Sequence, residues 1–197
     1  MYKKVVLVFI PIILFISCKR EKSAISVEKN EITNEFRLQF LNEILSDTLE
    51  LKLIQSKSNL ISNSDILPPP AFDVDFFSES NYISKVLEIN DTLFVQKQFD
   101  LNPTFNFDDL SKFGFKILDI KSIIEKGGDY NIILDEVNLY YKNCDTCCML
   151  VLSKPIFNKE KNKAYLRMGC GSGGRSIILE KKLNKWKVIK ELDYWVS

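Results

Sequence analysis

Hydrophobic and polar positions alternate most regularly in the last fifty residues of the chain. Segments 147–157, 163–169, 175–183 and 186–196 are apolar-rich runs of strand length, and short polar or glycine-rich connections separate them. That pattern predicts an antiparallel meander of about four strands joined by hairpins. In the last run Trp186, Val188, Leu192, Tyr194 and Val196 share one face, while Ile189 and Trp195 lie on the other. Apolar residues on both faces predict cover on part of the second side too.

Upstream, the period changes. Phe36, Phe40, Leu41, Ile44 and Leu45 fall at helical spacing behind Thr33, which predicts a capped helix over 34–46. Leu49, Leu51 and Leu53 alternate with polar residues, as in a short strand. Residues 59–70 end in Pro68-Pro69-Pro70 and read as a surface loop with a polyproline-like end. Residues 72–99 allow two readings: Asp91 caps a helix that holds Leu93, Phe94 and Val95, which the pattern favours, or Asn90-Asp91 turns a hairpin. Phe105, Phe107, Leu110, Phe113 and Phe115 surround a helical turn that starts at Asp108, and a strand follows over 115–120. Ile133, Val137, Tyr140 and Tyr141 define the inward stripe of a further helix, 130–141. Together these elements predict an α+β fold: a C-terminal antiparallel sheet packed against two to four helices on one side, in a single domain over 33–197.

Composition removes several function classes. The chain has 197 residues, 27 basic and 26 acidic side chains, and no histidine. Balanced charge leaves no footprint for nucleic acid. Without histidine, Ser–His–Asp and Cys–His catalysis, His-ligated zinc and the usual near-neutral general base are unavailable.

The first residues predict a destination. Lys3 and Lys4 precede an apolar run over 5–16, which is shorter than the roughly 20 residues a membrane helix needs and has the length of a signal-peptide core. Leu14-Phe15-Ile16-Ser17-Cys18 resembles a bacterial lipoprotein lipobox, with Phe15 where leucine is usual. The resemblance implies a signal peptide over 1–17, cleavage before Cys18, and acyl chains on that residue that hold the protein to a membrane. Residues 18–32 then form a polar, flexible stalk.

Four further cysteines follow: Cys144, Cys147, Cys148 and Cys170. In an exported chain they are disulfide candidates. A turn near residues 159–161 sets Leu152 opposite Leu166, Leu150 opposite Met168 and Cys148 opposite Cys170. A slip by one residue pairs Cys147 with Cys170 instead. Cys144-Asp145-Thr146-Cys147 also has the spacing of a redox pair, but such a pair normally opens a helix, and a strand-like run follows here. A four-thiolate zinc site usually has two C-x-x-C knuckles, and this chain has one.

Other motifs carry less. The glycine run at Gly169, Gly171, Gly173 and Gly174 leads into a strand rather than a helix and has no Walker lysine, so it reads as a hairpin connection. Arg175 beside it is a candidate contact for a small anion. Ser153 and Lys154 are adjacent in a strand and point to opposite faces, which argues against a dyad. Asp73, Asp75, Asp108 and Asp109 lack the spacing of a calcium loop.

The stretches Ser153-Lys154-Pro155-Ile156-Phe157-Asn158, Cys170-Gly171 with its glycines, and Leu179-Glu180-Lys181-Lys182 through Asn184-Lys185-Trp186-Lys187-Val188 to Trp195-Val196-Ser197 resemble a group of uncharacterised Bacteroidota lipoproteins. The resemblance covers mainly residues 144–197 and implies a location, not an activity. In that group a second cysteine often lies within the glycine-rich turn, where this chain has Ser172, so no disulfide pairing carries over. The function expected from these features is a non-enzymatic binding or structural module. Lipid would anchor it to the inner or outer membrane of the cell envelope, with its domain outside the cytoplasm. Two alternatives stay open. One is an envelope thiol-redox enzyme using Cys144 and Cys147. The other is a small-ligand domain with an aromatic pocket over 105–115, contacted through Phe107 and Arg175. No cofactor, metal or nucleic acid is expected.

Overall fold

A computed structural model describes residues 31–54, 57, 59–64, 78–100, 105–142, 148–171 and 173–196. The chain divides into two units, Met1–Glu31 and Ile32–Ser197. The second is an α+β domain that contains, among the described residues, five α-helices, one 3-10 helix and a seven-stranded mixed sheet.

Helix α1 spans Asn34–Ser46, and the Thr33 hydroxyl accepts the Phe36 N–H at its start. Strand β1, Leu60–Ser62, is followed by α2, Glu79–Val86, capped by Ser78, and by α3, Thr92–Asp100. The Asp91 carboxylate accepts the Phe94 N–H at the start of α3. A 3-10 helix, Phe107–Phe113, then leads through Gly114 to β2, Lys116–Leu118. Gly114 has φ +86°, a conformation that glycine adopts without penalty. Helices α4, Ile120–Glu125, and α5, Tyr130–Tyr141, start at the carboxylates of Asp119 and Asp129. Strands β3 (Leu150–Leu152), β4 (Ile156–Phe157), β5 (Lys163–Cys170), β6 (Gly173–Lys182) and β7 (Lys185–Val196) complete the chain.

The sheet order is β2-β1-β3-β5-β6-β7, with β4 also on β5. Strands β5, β6 and β7 form the expected antiparallel meander, whereas β1 pairs in parallel with both β2 and β3. Three residues, Ser153 to Pro155, interrupt the first predicted strand and split it into β3 and β4. The Ser153 hydroxyl accepts the Arg167 N–H across this break, and the Ser153 N–H donates to the Arg167 carbonyl.

Helices cover both faces of the sheet rather than one. Along β5 the side chains alternate: Ala164, Leu166 and Met168 join one core with α1 and the 3-10 helix, and Tyr165 joins another with α2 and α3. Phe157 sits in the first core with its ring edge-on to Phe36 and Phe40, each at 4.9 Å between centroids. The two helical layers also meet around the edge of β4. Buried Arg37 of α1 donates to the carbonyls of Ile32 and Pro155, and its Nη2 lies 3.5 Å from Gln98 Oε1 of α3. Gln98 in turn accepts the Phe157 N–H at 3.0 Å and donates to the Phe157 carbonyl at 2.7 Å. A side-chain amide thus closes a strand edge that would otherwise expose its backbone.

Three local expectations are corrected. Residues 49–53 form a turn, with Lys52 at φ 50° and Leu49 exposed, and no strand. Residues 60–62, expected in a loop, are instead an interior strand, buried throughout between β2 and β3. In α5 only Ile133 is buried, although four residues were expected to face inward. The prolines 68–70 lie outside the described residues.

Candidate functional site

Two places concentrate chemistry: the end of the sheet held by cysteines, and a polar cluster under α2. At the first, Cys148 and Cys170 are joined as a disulfide, with their Cα atoms 5.5 Å apart. The register differs by two residues from the one expected. Leu150 faces Cys170 and Leu152 faces Met168. A shift of two preserves the side-chain face, so Cys148, just before β3, still reaches Cys170 diagonally. The alternative pairing of Cys147 with Cys170 is therefore not the one adopted. Gly171, at φ +61°, turns the chain directly after Cys170. Tyr141, from the last turn of α5, locks the same end: its hydroxyl donates to the Cys148 carbonyl at 3.0 Å and accepts the Leu60 N–H at 2.7 Å. Cys18, Cys144 and Cys147 lie outside the described residues.

The second place was not legible as a motif. Arg167 is buried on the α2 side of β5, with its guanidinium 5.1 Å from the centroid of the Trp195 ring. The Trp195 indole lies against Gly174, where an added Cβ would come within 2.1 Å of it, so this close approach requires glycine. Above the sheet, the Tyr82 hydroxyl of α2 donates to Asp193 at 3.1 Å, and the Tyr165 hydroxyl donates to Ser176 at 3.3 Å. Burial pushes the Glu79 carboxyl above its ordinary value, and the nearby Arg167 charge opposes that rise. Burial likewise raises Tyr82, aided by the Asp193 charge, and pushes Tyr165 up to about 12.

These shifts make an alkaline prediction. An unfolded tyrosine ionises near pH 10, while the folded Tyr165 holds its proton to about 12. The associated stability is fully present below pH 10 and is lost as the pH rises towards 12, amounting to about 3 kcal/mol for this side chain. Denaturant unfolding at pH 8 and pH 11.5 should show a smaller loss in Tyr165→Phe than in the parent. Parallel losses in the two proteins would refute the assignment.

The other candidates are dispersed. Phe107 is buried in the core beneath α1, edge-on to Phe105 at 5.0 Å. Arg175 pairs with Glu191 of β7 at 2.7 Å. No described contact joins Phe107 to Arg175. Ser153 and Lys154 point to different partners, the Arg167 N–H and the Phe99 carbonyl. Among the described residues no group of three or more acidic or cysteine side chains is arranged to hold a metal ion, and no helix is long and apolar enough to cross a membrane.

Compared with known proteins, the chain matches no family model, no curated protein and no solved structure. Two side-chain hydrogen bonds in the polar cluster join different elements, Tyr82 of α2 to Asp193 of β7 and Tyr165 of β5 to Ser176 of β6, and the Trp195 ring lies beside Arg167. Such an arrangement fixes α2 and the C-terminal end of β7 to the sheet. The signal that could have revealed it is the single arginine on the otherwise apolar alternation of β5, opposite in face to Leu166 and Met168.

Proposed function

We propose that this chain is a cell-envelope lipoprotein, held to a membrane through acyl chains on Cys18, whose domain acts as a non-enzymatic binding or structural module. The observation that carries the exported location is the Cys148–Cys170 pair, seated at the open end of the sheet with Cys170 exposed. An accessible disulfide of this kind persists in oxidising compartments and is reduced in the cytosol. The lipobox-like Leu14 to Cys18 supplies the anchor in the same reading. The domain's polar groups support a binding or structural role, because they are spent on holding elements together: Arg37 and Gln98 at the β4 edge, Tyr141 at the β1–β3 end, Tyr82 and Asp193 under α2.

Fractionation of cells that produce the full chain tests this. The parent protein should sediment with membranes and resist salt and alkaline washing, and Cys18→Ala should move most of it to the soluble or precursor fraction. A parent protein recovered in the soluble fraction would refute the anchor.

A further inference from the structure

The two sulfurs of the Cys148–Cys170 bond have unequal surroundings. Cys170 is exposed at the last position of β5. Gly171, Gly173 and Gly174 come soon after it, so the following turn adds little side-chain bulk around its sulfur. Cys148 is half-buried. The Gly171 turn passes beside it, close enough that an added Cβ there would lie 3.9 Å from the Cys148 Cβ. The Cys148 carbonyl accepts the Tyr141 hydroxyl, which in turn accepts the Leu60 N–H. The main chain of Cys148 is thus tied to α5 and β1 without the help of its sulfur.

We infer that the Cys148–Cys170 bond is a site of reversible thiol exchange, entered at Cys170 rather than Cys148, and that the domain stays folded in both redox states. In such exchange a thiolate attacks one sulfur in line and expels the other, and access decides which sulfur is attacked. Here the incoming thiolate reaches Cys170 from solvent. A new S–S bond forms to Cys170 Sγ, the Cys148–Cys170 bond breaks, and Cys148 leaves as a thiolate that takes a proton from water. With a dithiol as reactant, its second thiolate attacks the reactant's own first sulfur, closes the reactant's disulfide and expels Cys170. Two electrons pass from the dithiol to this bond, and an oxidised dithiol reverses each step. Tyr141 keeps its hold on the Cys148 carbonyl throughout, so the two states differ in stability and not in fold.

The inference rests on the reading of this domain as an exported module, in which the oxidised state is the resting one. It adds the chemistry of a redox partner, a thiol or dithiol of the same compartment.

The test uses the full chain, purified in its oxidised form and treated briefly with excess glutathione. N-ethylmaleimide stops the reaction, and peptide mapping assigns every adduct to its cysteine. The expected product carries glutathione on Cys170 and maleimide on Cys148, in about tenfold excess over the converse. The fully reduced protein should keep the far-ultraviolet dichroism of the oxidised one at neutral pH, with a lower denaturation midpoint. Glutathione disulfide should then restore the bond. Equal or reversed labelling overturns the inference. So does a bond that resists glutathione until denaturant is added, a reduced chain that unfolds, one that does not reoxidise to the same pair, or a purified chain without this bond. Membrane release of Cys18→Ala is read separately in cells, so the anchor and the exchange site can fail independently.

Discussion

Phe157→Ala is expected to lower the unfolding free energy by about 3–5 kcal/mol, the cost of a large cavity in a packed core. Phe157 is fully buried and its ring meets Phe36, Phe40 and Trp186, so four aromatic side chains from α1, β4 and β7 share one contact. Strand β4 is only two residues long, and Gln98 grips the backbone of Phe157 on its free side. The neighbours therefore have little freedom to collapse into the space. Against a typical domain stability of about 5–15 kcal/mol this loss is large. Chemical denaturation should show a lower midpoint with an unchanged slope. Ile189→Ala, at a half-exposed site on β7, should stay within about 0.5 kcal/mol of the parent. A Phe157→Ala loss below about 1 kcal/mol would contradict this account of the core.

Loss of the Cys148–Cys170 bond is the second large effect. The bond closes a loop with a sequence separation of 22 residues, for which the chain-entropy estimate is about 3 kcal/mol. Cys148→Ser/Cys170→Ser removes both partners and leaves no stray thiol from this pair. Cys170 is exposed and Cys148 half-buried, so little core volume is lost and the change reports mainly on the unfolded chain. Tyr141 should still hold the Cys148 carbonyl in the double variant, and the fold should persist at neutral pH with a lower denaturation midpoint. Peptide mapping of the oxidised parent should link Cys148 to Cys170. Equal midpoints for parent and double variant, or a Cys147–Cys170 peptide, would contradict the pairing.

Both predictions depend on features that the sequence revealed unevenly. Helix α1 was readable because cap and stripe agree: Thr33 opens it, and Phe40, Leu41, Ile44 and Leu45 all point inward. The β5–β7 meander was readable because alternation with apolar residues on both faces leaves few other options. Strand β1 was not, since three residues between polar neighbours carry no period, and its burial comes from β2 and β3, which are distant in sequence. The Leu49, Leu51 and Leu53 alternation misled for the opposite reason: it is a local pattern, and the turn after α1 overrode it. Register failed by two residues because the connection between β4 and β5 is set by side chains. Asn158 accepts the N–H groups of Asn162 and Lys163. Cover on the second face was anticipated from Ile189 and Trp195, and Trp195 does lie on that side, over Gly174 beside Arg167. Leu192, expected on the face of Trp186 and Val188, packs in the second core instead, because the β6–β7 register shifts break the alternation. Of the polar cluster only Arg167, an arginine on an apolar strand, was visible in the sequence; its neighbours Glu79, Tyr82 and Asp193 come from two other segments.

The proposed lipidation of Cys18 is open to intact-mass spectrometry of the protein extracted from membranes. The expected chain begins at Cys18 and is heavier than its polypeptide by a diacylglyceryl group, with or without a further acyl chain, and has Cys148 and Cys170 oxidised. A mass that matches an unmodified polypeptide, or one that still includes residues 1–17, would contradict it.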